Sequence, residues 1–305
     1  MKSIQLIEES ERYTHMLRLF FIACLALSSH TILSQRFDDD ITFWNNLDTR
    51  NPAWLNSDHR TEGVLFLQIP YPNLSGYYTE SSLLMSRELD RQNGAVGLQA
   101  GLRNSANLRE NWVGLPVRYG FELGSSQLSV GVKVYWHQYS VDFNSEPPFT
   151  ANNSTYTMDY ALGAAFKSTY FWVDASAHFF GEPRLDGVVF APEKDTRIYA
   201  AAGGRIPFSG ELTIKPVMLV ELISDYISHP EVALIADIGD AIEGGVYYDT
   251  LGLDKSRISQ QEAWEYFALY AQVKIHRTTG VFLTVEPGNT LGFVYEGGIR
   301  VGIDN

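Results

Sequence analysis

The chain is poor in cysteine, in long apolar runs and in basic residues, and each shortage removes a class of protein. Its single cysteine, Cys24, falls in an N-terminal segment that reads as an export signal. The remainder is cysteine-free, which excludes disulfides and thiol chemistry there. No run of eighteen or more apolar residues occurs, so the mature region holds no helical membrane span. A membrane role would require a closed barrel, the other architecture that satisfies every backbone polar group in lipid. Lys and Arg number 23 against 36 Asp and Glu, a formal net charge of −13. Binders of phosphate backbones carry clustered bases. No basic run or zinc-spaced Cys/His set exists here, so nucleic-acid recognition is set aside. A Gly-x-Ser-x-Gly elbow is also missing, and no carboxylate–histidine set has metal-ligand spacing. Neither a cofactor nor a metal is expected.

What the chain does have is aromatic residues, with 17 Tyr, 17 Phe and 6 Trp, and a period of two. Between Gln127 and Phe143, Leu128, Val130, Val132, Val134 and Trp136 alternate with Ser129, Gly131, Lys133, Tyr135 and His137. Successive side chains of a strand point to opposite faces, so this pattern makes one apolar and one polar face. It predicts the Val and Trp set facing lipid, and Lys133, Tyr135 and His137 facing a lumen. The alternation recurs from about residue 60 onward. Val113 to Leu123 opposes Arg118, Gly120 and Glu122; Met158 to Phe166 opposes Asp159 and Gly163; Phe171 to Phe179 opposes Asp174, Ser176 and His178.

Three regions are expected. Residues 1–34 form a signal segment, with Met16 as the expected true start, Phe20–Leu27 as its short apolar core and a cut after Ser34. Residues 35–58, acidic at Asp38-Asp39-Asp40 and turning at Asn51-Pro52, form a periplasmic strap. Residues 59–305 form an all-β, antiparallel transmembrane β-barrel of about 14 strands. Arg197–Pro207 reads as one strand and Phe208-Ser209-Gly210 as its turn. Pro216 in the next strand marks a bulge or gap, because proline cannot donate to the ladder. Asp237-Ile238-Gly239-Asp240 reads as a turn before it reads as a calcium loop.

A barrel is favoured over a soluble sandwich on three grounds. Tight turns such as Gly124-Ser125-Ser126 alternate with the longer polar loops Glu146–Thr155, Gly181–Asp195 and Asp249–Glu262, as in outer-membrane barrels. Lys133, Asp159, Asp174, Arg205, Lys215, Glu243, Lys274, Glu296 and Arg300 fall on the face opposite the bulky apolar residues. A mid-bilayer Arg or Lys on the lipid face costs about 2–4 kcal/mol, so the sorting has a cause. Trp112, Tyr119, Trp136, Tyr156, Tyr170, Phe180 and Trp264 stand near strand ends, as interface girdles require.

Several patches also resemble one family. They are Asn51-Pro52-Ala53-Trp54, Leu128-Ser129-Val130-Gly131, Asp159-Tyr160-Ala161-Leu162-Gly163 followed by Tyr170–His178, Leu212–Val220 with Lys215-Pro216, and Gly244–Tyr248. In order and spacing they resemble the PorP/SprF outer-membrane barrels of type IX secretion and gliding motility. The resemblance implies a non-enzymatic protein in outer-membrane lipid. Such a protein anchors or assembles a secreted surface protein or a periplasmic secretion or motility component. The long loops are then the candidate partner surfaces, with Pro147, Pro148, Asn152, Pro183, Arg184, Asp254 and Lys255 as candidate contacts. Two alternatives stay open. One is a diffusion channel or small-molecule transporter lined by the inward charges. The other is a barrel hydrolase using His137, His178, His229 or His276, each of which reads first as a lumen hydrogen-bonder.

Overall fold

The alternation closes into a cylinder. Its strands are β1 (Thr61–Pro70), β2 (Thr79–Leu89), β3 (Gly94–Asn104), β4 (Leu108–Leu123), β5 (Ser126–Val141), β6 (Asn153–Lys167), β7 (Phe171–Phe179), β8 (Arg197–Gly204), β9 (Ile206–Pro207), β10 (Leu212–Ile223), β11 (Tyr226–Ile227), β12 (Glu231–Ile238), β13 (Ile242–Asp249), β14 (Phe267–His276), β15 (Thr279–Pro287) and β16 (Phe293–Ile303). The computed structural model describes residues 47–55, 60–70, 79–89, 93–104, 108–141, 153–181, 196–208, 210–223, 226–227, 230–239, 241–249, 267–276, 278–287 and 293–303. Neighbouring strands pair antiparallel, β8 with β10 and β10 with β12. β16 returns to β1, from Thr61↔Ile303 to Pro70↔Val294. Fourteen long strands thus form a closed wall, with β9 and β11 as two-residue additions to β10. Closure gives each of the fourteen long strands a neighbour on both sides.

Most strands turn an apolar side outward, whereas on β10 the outward Met218 and Val220 are themselves buried. On β4, Val113, Leu115, Val117, Tyr119, Phe121 and Leu123 are exposed while Arg118 between them is buried. On β5, Val130, Val132 and Trp136 face out, and Lys133 and His137 are buried inside. The outward apolar run of β4 spans about 33 Å at roughly 3.3 Å per residue. Tilted by about 40°, it covers the apolar band of about 25 Å expected of such barrels.

Turns set the polarity of the cylinder. Gly124 (φ +67°) makes the two-residue turn from β4 to β5 possible, and Gly239 (φ +59°) serves the β12–β13 connection. Both need the left-handed conformation that glycine adopts without a Cβ penalty. These tight turns lie at the end where β1 begins and β16 finishes, the periplasmic end by the usual loop asymmetry.

Two prolines open short gaps in the ladder. Pro216 keeps its register with Leu234 on β12, but β8 pairs only from Val217 onward and β9 only with Thr213 and Ile214. The expected gap therefore exists on the β8/β9 side, and it divides the single strand expected over 197–207. Pro116 does the same on β4: it pairs with Lys133 on β5, whereas the β3 register skips from Val96↔Val117 to Gln99↔Gly114.

Some expectations need correction. Trp112 and Phe180 are not girdle residues. Trp112 is buried inside, stacked against His137 at 6.4 Å, and Phe180 packs beside His178 and under Arg197. Arg205 lies between β8 and β9 and is exposed, its N–H donating to the Tyr170 carbonyl at 2.7 Å. Asp237 is a β12 residue held by Lys215 (2.8 Å) and Lys274 (2.6 Å), not a turn ligand. Of the first long loop, residues 153–155 already belong to β6. Of the expected girdle positions, Tyr119, Trp136, Tyr156 and Tyr170 do face outward. Trp264, His229, the signal segment and Asp38–Asp40 lie outside the described residues.

Candidate functional site

The chemistry of the barrel is concentrated inside it, where residues 47–55 lie against the inner wall. This is the described part of the segment expected as a strap. It consists of a helical turn (Leu47–Arg50) and a 3-10 turn (Pro52–Trp54), within which Asp48, Asn51, Pro52, Ala53, Trp54 and Leu55 are buried. Local sequence explains the shape. Pro52 supplies a preset φ at the first helical position. Asn51 caps the turn, its Oδ1 accepting the Ala53 N–H at 2.9 Å.

The wall is shaped to receive it. Gly131 on β5 and Gly163 on β6 stand opposite each other in the ladder. A Cβ on Gly131 would lie 2.5 Å from Ala53 N and from Pro52 O, and one on Gly163 would overlap the Asn51 side chain and reach Pro52 Cδ at 3.1 Å. Two glycines side by side therefore make a notch, and the Pro52–Ala53 peptide and the Asn51 side chain fill it. Above the notch, Asn51 Nδ2 donates to the carbonyls of Ala164 and Ala175 (both 3.2 Å) and to Asp174 Oδ1 (3.1 Å). The other oxygen of Asp174 accepts from Trp54 Nε1 at 2.7 Å. One carboxylate on β7 thus fastens both ends of the motif.

Further contacts complete the socket. Lys133, fully buried, donates to the Thr49 carbonyl and to Gln99 Oε1 (3.3 Å) and lies over the Tyr135 ring at 4.7 Å. A buried ammonium needs such partners to offset its lost hydration. His178 Nε2 donates to the Arg50 carbonyl at 2.5 Å. Trp54 meets Trp172 edge-on at 5.3 Å, and Lys167 sits over its ring. Leu55, with no exposure, packs with Val64, Leu84 and Ala95 of β1, β2 and β3. The segment therefore touches the inner face from β1 to β7 and acts as a plug.

The remaining wall is filled from within. Phe66, Val217, Leu219, Ala233, Ile235, Tyr247, Ala268, Tyr270, Phe282 and Val294 form one buried apolar cluster, which Trp172 joins to the plug. Inward charged side chains are held in paired clusters. Lys215 bridges Asp237 and Glu243 (2.6 Å), with Lys274 beside them. Arg103 holds Glu80 at 2.6 Å, and His137 sits between Glu110 (2.8 Å) and Asp159 (3.0 Å). Lys133, Asp159, Asp174, Lys215, Glu243, Lys274, Glu296 and Arg300 all point inward, as the alternation predicts.

Two of the histidines considered for hydrolysis are engaged in other contacts: His137 lies between Glu110 and Asp159, and His178 holds the plug. Ser176 Oγ lies 3.5 Å from His178 Nε2, but that nitrogen carries its proton toward Arg50 and cannot act as base. The loop residues Pro147, Pro148, Asn152, Pro183, Arg184, Asp254 and Lys255 lie outside the described residues. Sequence reasoning missed the plug itself. It did single out Asn51–Trp54, Gly131, Gly163 and the β7 stretch holding Asp174, and these four patches meet in one place.

Comparison with known proteins agrees with this architecture. No curated protein matches the chain. CymD, a monoaromatic hydrocarbon channel of known structure, superposes with a TM-score of 0.51 at 9% identity, over 90% of this chain and 95% of its own. Omp33, an outer membrane protein of Acinetobacter baumannii, gives 0.46 at 8% identity, over 80% and 98%. At such identity the CymD likeness shows the fold alone. The family described as type IX secretion system membrane protein PorP/SprF matches residues 42–300. The closed wall, its outward apolar belt and that match together put the protein in the outer membrane, in contact with lipid. By the extent of that match, the chain belongs to the PorP/SprF family of type IX secretion system membrane proteins.

Proposed function

We propose that the protein is a non-enzymatic barrel that anchors or assembles secreted surface proteins, or periplasmic components, of the type IX secretion and gliding machinery. The observation that carries this reading is the filled interior. A diffusion pore keeps its lining wet, whereas inward-facing Val64, Phe66, Leu84, Ala95, Tyr247, Ala268 and Phe282 retain 3% exposure or less. Such packing favours a scaffold over a conduit. With the wall given to lipid and the lumen to packing, the two rims are the surfaces left for partners. The long loops carrying Pro147, Pro148, Asn152, Pro183, Arg184, Asp254 and Lys255 are the proposed contacts. Their prolines and asparagines favour turn and extended backbone, and their charged members add specificity.

A mild-detergent pull-down from outer membranes, read by mass spectrometry, tests the proposal. It should recover a secretion, motility or surface protein, and shortening the loop around Pro147 or Pro183 should reduce that recovery. Recovery of none would overturn the anchoring role. Planar-bilayer recording tests the channel reading directly: discrete, salt-dependent steps from the wild-type protein would favour it.

A further inference from the structure

The wall is not equally tall all round. β4 and β5 have sixteen residues and β6 fifteen, against eight or nine in β7, β8, β12, β13 and β15. The outward apolar belt ends at Val113 on β4, at Trp136 on β5 and at Met158 on β6. On β14 and β16, by contrast, the outward apolar residues run to the end of the strand at Phe267 and Phe293. The extra length of β4–β6 therefore stands beyond the belt, at the end opposite the tight turns. Its outward positions are Arg109 and Asn111, Gln138 and Ser140, Ser154 and Tyr156, which the ladder places side by side as Asn111↔Gln138↔Tyr156 and Arg109↔Ser140↔Ser154. Tyr156 is 73% exposed and donors and acceptors surround it, Gln138 Nε2 donating to its hydroxyl at 3.3 Å. The inner face of the same ribbon is occupied: Glu110, Trp112, His137, Tyr139 and Thr157 are buried.

We infer that the outer face of this ribbon binds the sugar-phosphate headgroup of an outer-leaflet glycolipid. Continuity with the lipid belt sets the height, directly above Val113, Trp136 and Met158, where a headgroup must lie. The chemistry matches as well. Amides and hydroxyls suit sugar hydroxyls, an exposed tyrosine ring offers a face for a pyranose, and Arg109 supplies a fork for a phosphate. Backbone pairing joins β4 to β5 and β5 to β6 along the whole ribbon, so its outer face offers side chains to a ligand. The site takes a ligand already in the membrane, and the tall side of the barrel becomes its oriented side.

The test uses the full-length protein in detergent, with native mass spectrometry reading bound rough lipopolysaccharide against bound phosphatidylethanolamine. The wild type should retain the glycolipid in preference. R109Q/Y156A should weaken that retention on the order of tenfold, the loss expected from removing a charge-assisted hydrogen bond to a phosphate. R87Q, which changes an outward arginine of β2 near the tight-turn end, should leave it unaltered. Heat-modifiable migration on gels confirms that each barrel is folded. Equal retention of both lipids by the wild type, or retention by R109Q/Y156A equal to wild type, would overturn the site. Loss in R87Q equal to that in R109Q/Y156A would overturn its location.

Discussion

Gly163→Ala is the sharpest probe of the plug, because it adds one carbon at the place where the wall has no room. That carbon would overlap Asn51 Oδ1 and lie 2.8 Å from Asn51 Cγ and 3.1 Å from Pro52 Cδ. Asn51 cannot step aside cheaply. Its amide is held by the carbonyls of Ala164 and Ala175 and by Asp174, and its oxygen caps Ala53. Its two amide hydrogens, shared among three acceptors, and its accepting oxygen together count as three full bonds, one of them to a carboxylate. At about 0.5–1.5 kcal/mol for neutral bonds and up to about 3 for a charged one, displacing the side chain costs roughly 2–5 kcal/mol. The β5–β6 ladder is main chain and loses nothing, so this cost falls on docking of the plug and not on the barrel.

Hydrogen exchange by mass spectrometry reads that difference locally. Peptides covering residues 47–55 should lose protection by a factor between about thirty and a few thousand, the equivalent of that free energy. Peptides from β5 and β6 should stay as protected as in the wild type, and heat-modifiable migration should be unchanged. Conductance in planar bilayers should rise as the plug leaves the wall. Protection over 47–55 within twofold of wild type would show that the notch does not hold the segment, and would refute the reasoning from Gly131 and Gly163.

Other perturbations follow from the same geometry. Asp174→Leu leaves the Trp54 indole N–H and the Asn51 amide without their shared acceptor, an expected loss of about 2–4 kcal/mol of docking; faster exchange over 47–55 than in an Asp174→Asn protein checks it. Val132→Arg puts a cation in the middle of the lipid-facing run of β5 and should lower folding stability in phospholipid vesicles by about 2–4 kcal/mol, whereas a destabilisation below about 0.5 kcal/mol would contradict the outward assignment. Lys215→Met should destabilise the barrel more than Lys274→Met. Lys215 contacts Asp237 and Glu243 at 2.8 and 2.6 Å, while Lys274 reaches Glu243 only at 3.9 Å. Urea denaturation of the two variants decides the order.

The wall was readable from sequence because lipid enforces a two-residue period residue by residue, and a periodic constraint leaves a periodic trace. Where reading failed, residue type had been preferred to parity. Trp112 is aromatic and near a strand end, but the outward members of β4 are the odd positions from Val113, so Trp112 had to point inward. Phe180 follows outward Phe179 and by parity falls inside in the same way. Arg205 escaped parity altogether, since the strand breaks at the gap that Pro216 opens.

The plug left no periodic trace, because its contacts join Asn51 to residues more than a hundred positions away. What it did leave was a set of short, unexplained patches. Asn51-Pro52-Ala53-Trp54 is an odd motif for a segment ahead of a first strand, and Gly131 and Gly163 are odd choices for strand interiors, where glycine costs stability. Each becomes intelligible only with the others. The glycines weaken two strands unless a peptide occupies the notch, Asn51 is an isolated buried amide unless Asp174 and two carbonyls receive it, and Asp174 is a buried charge unless Asn51 and Trp54 donate to it. No one of these residues is a favourable choice alone, so substitution of any one strands the rest. That mutual dependence is why patches that look separate in the sequence specify one object in the fold. It also places the plug among the features the barrel is built around, since a wall made only to close on itself would have had no use for the notch.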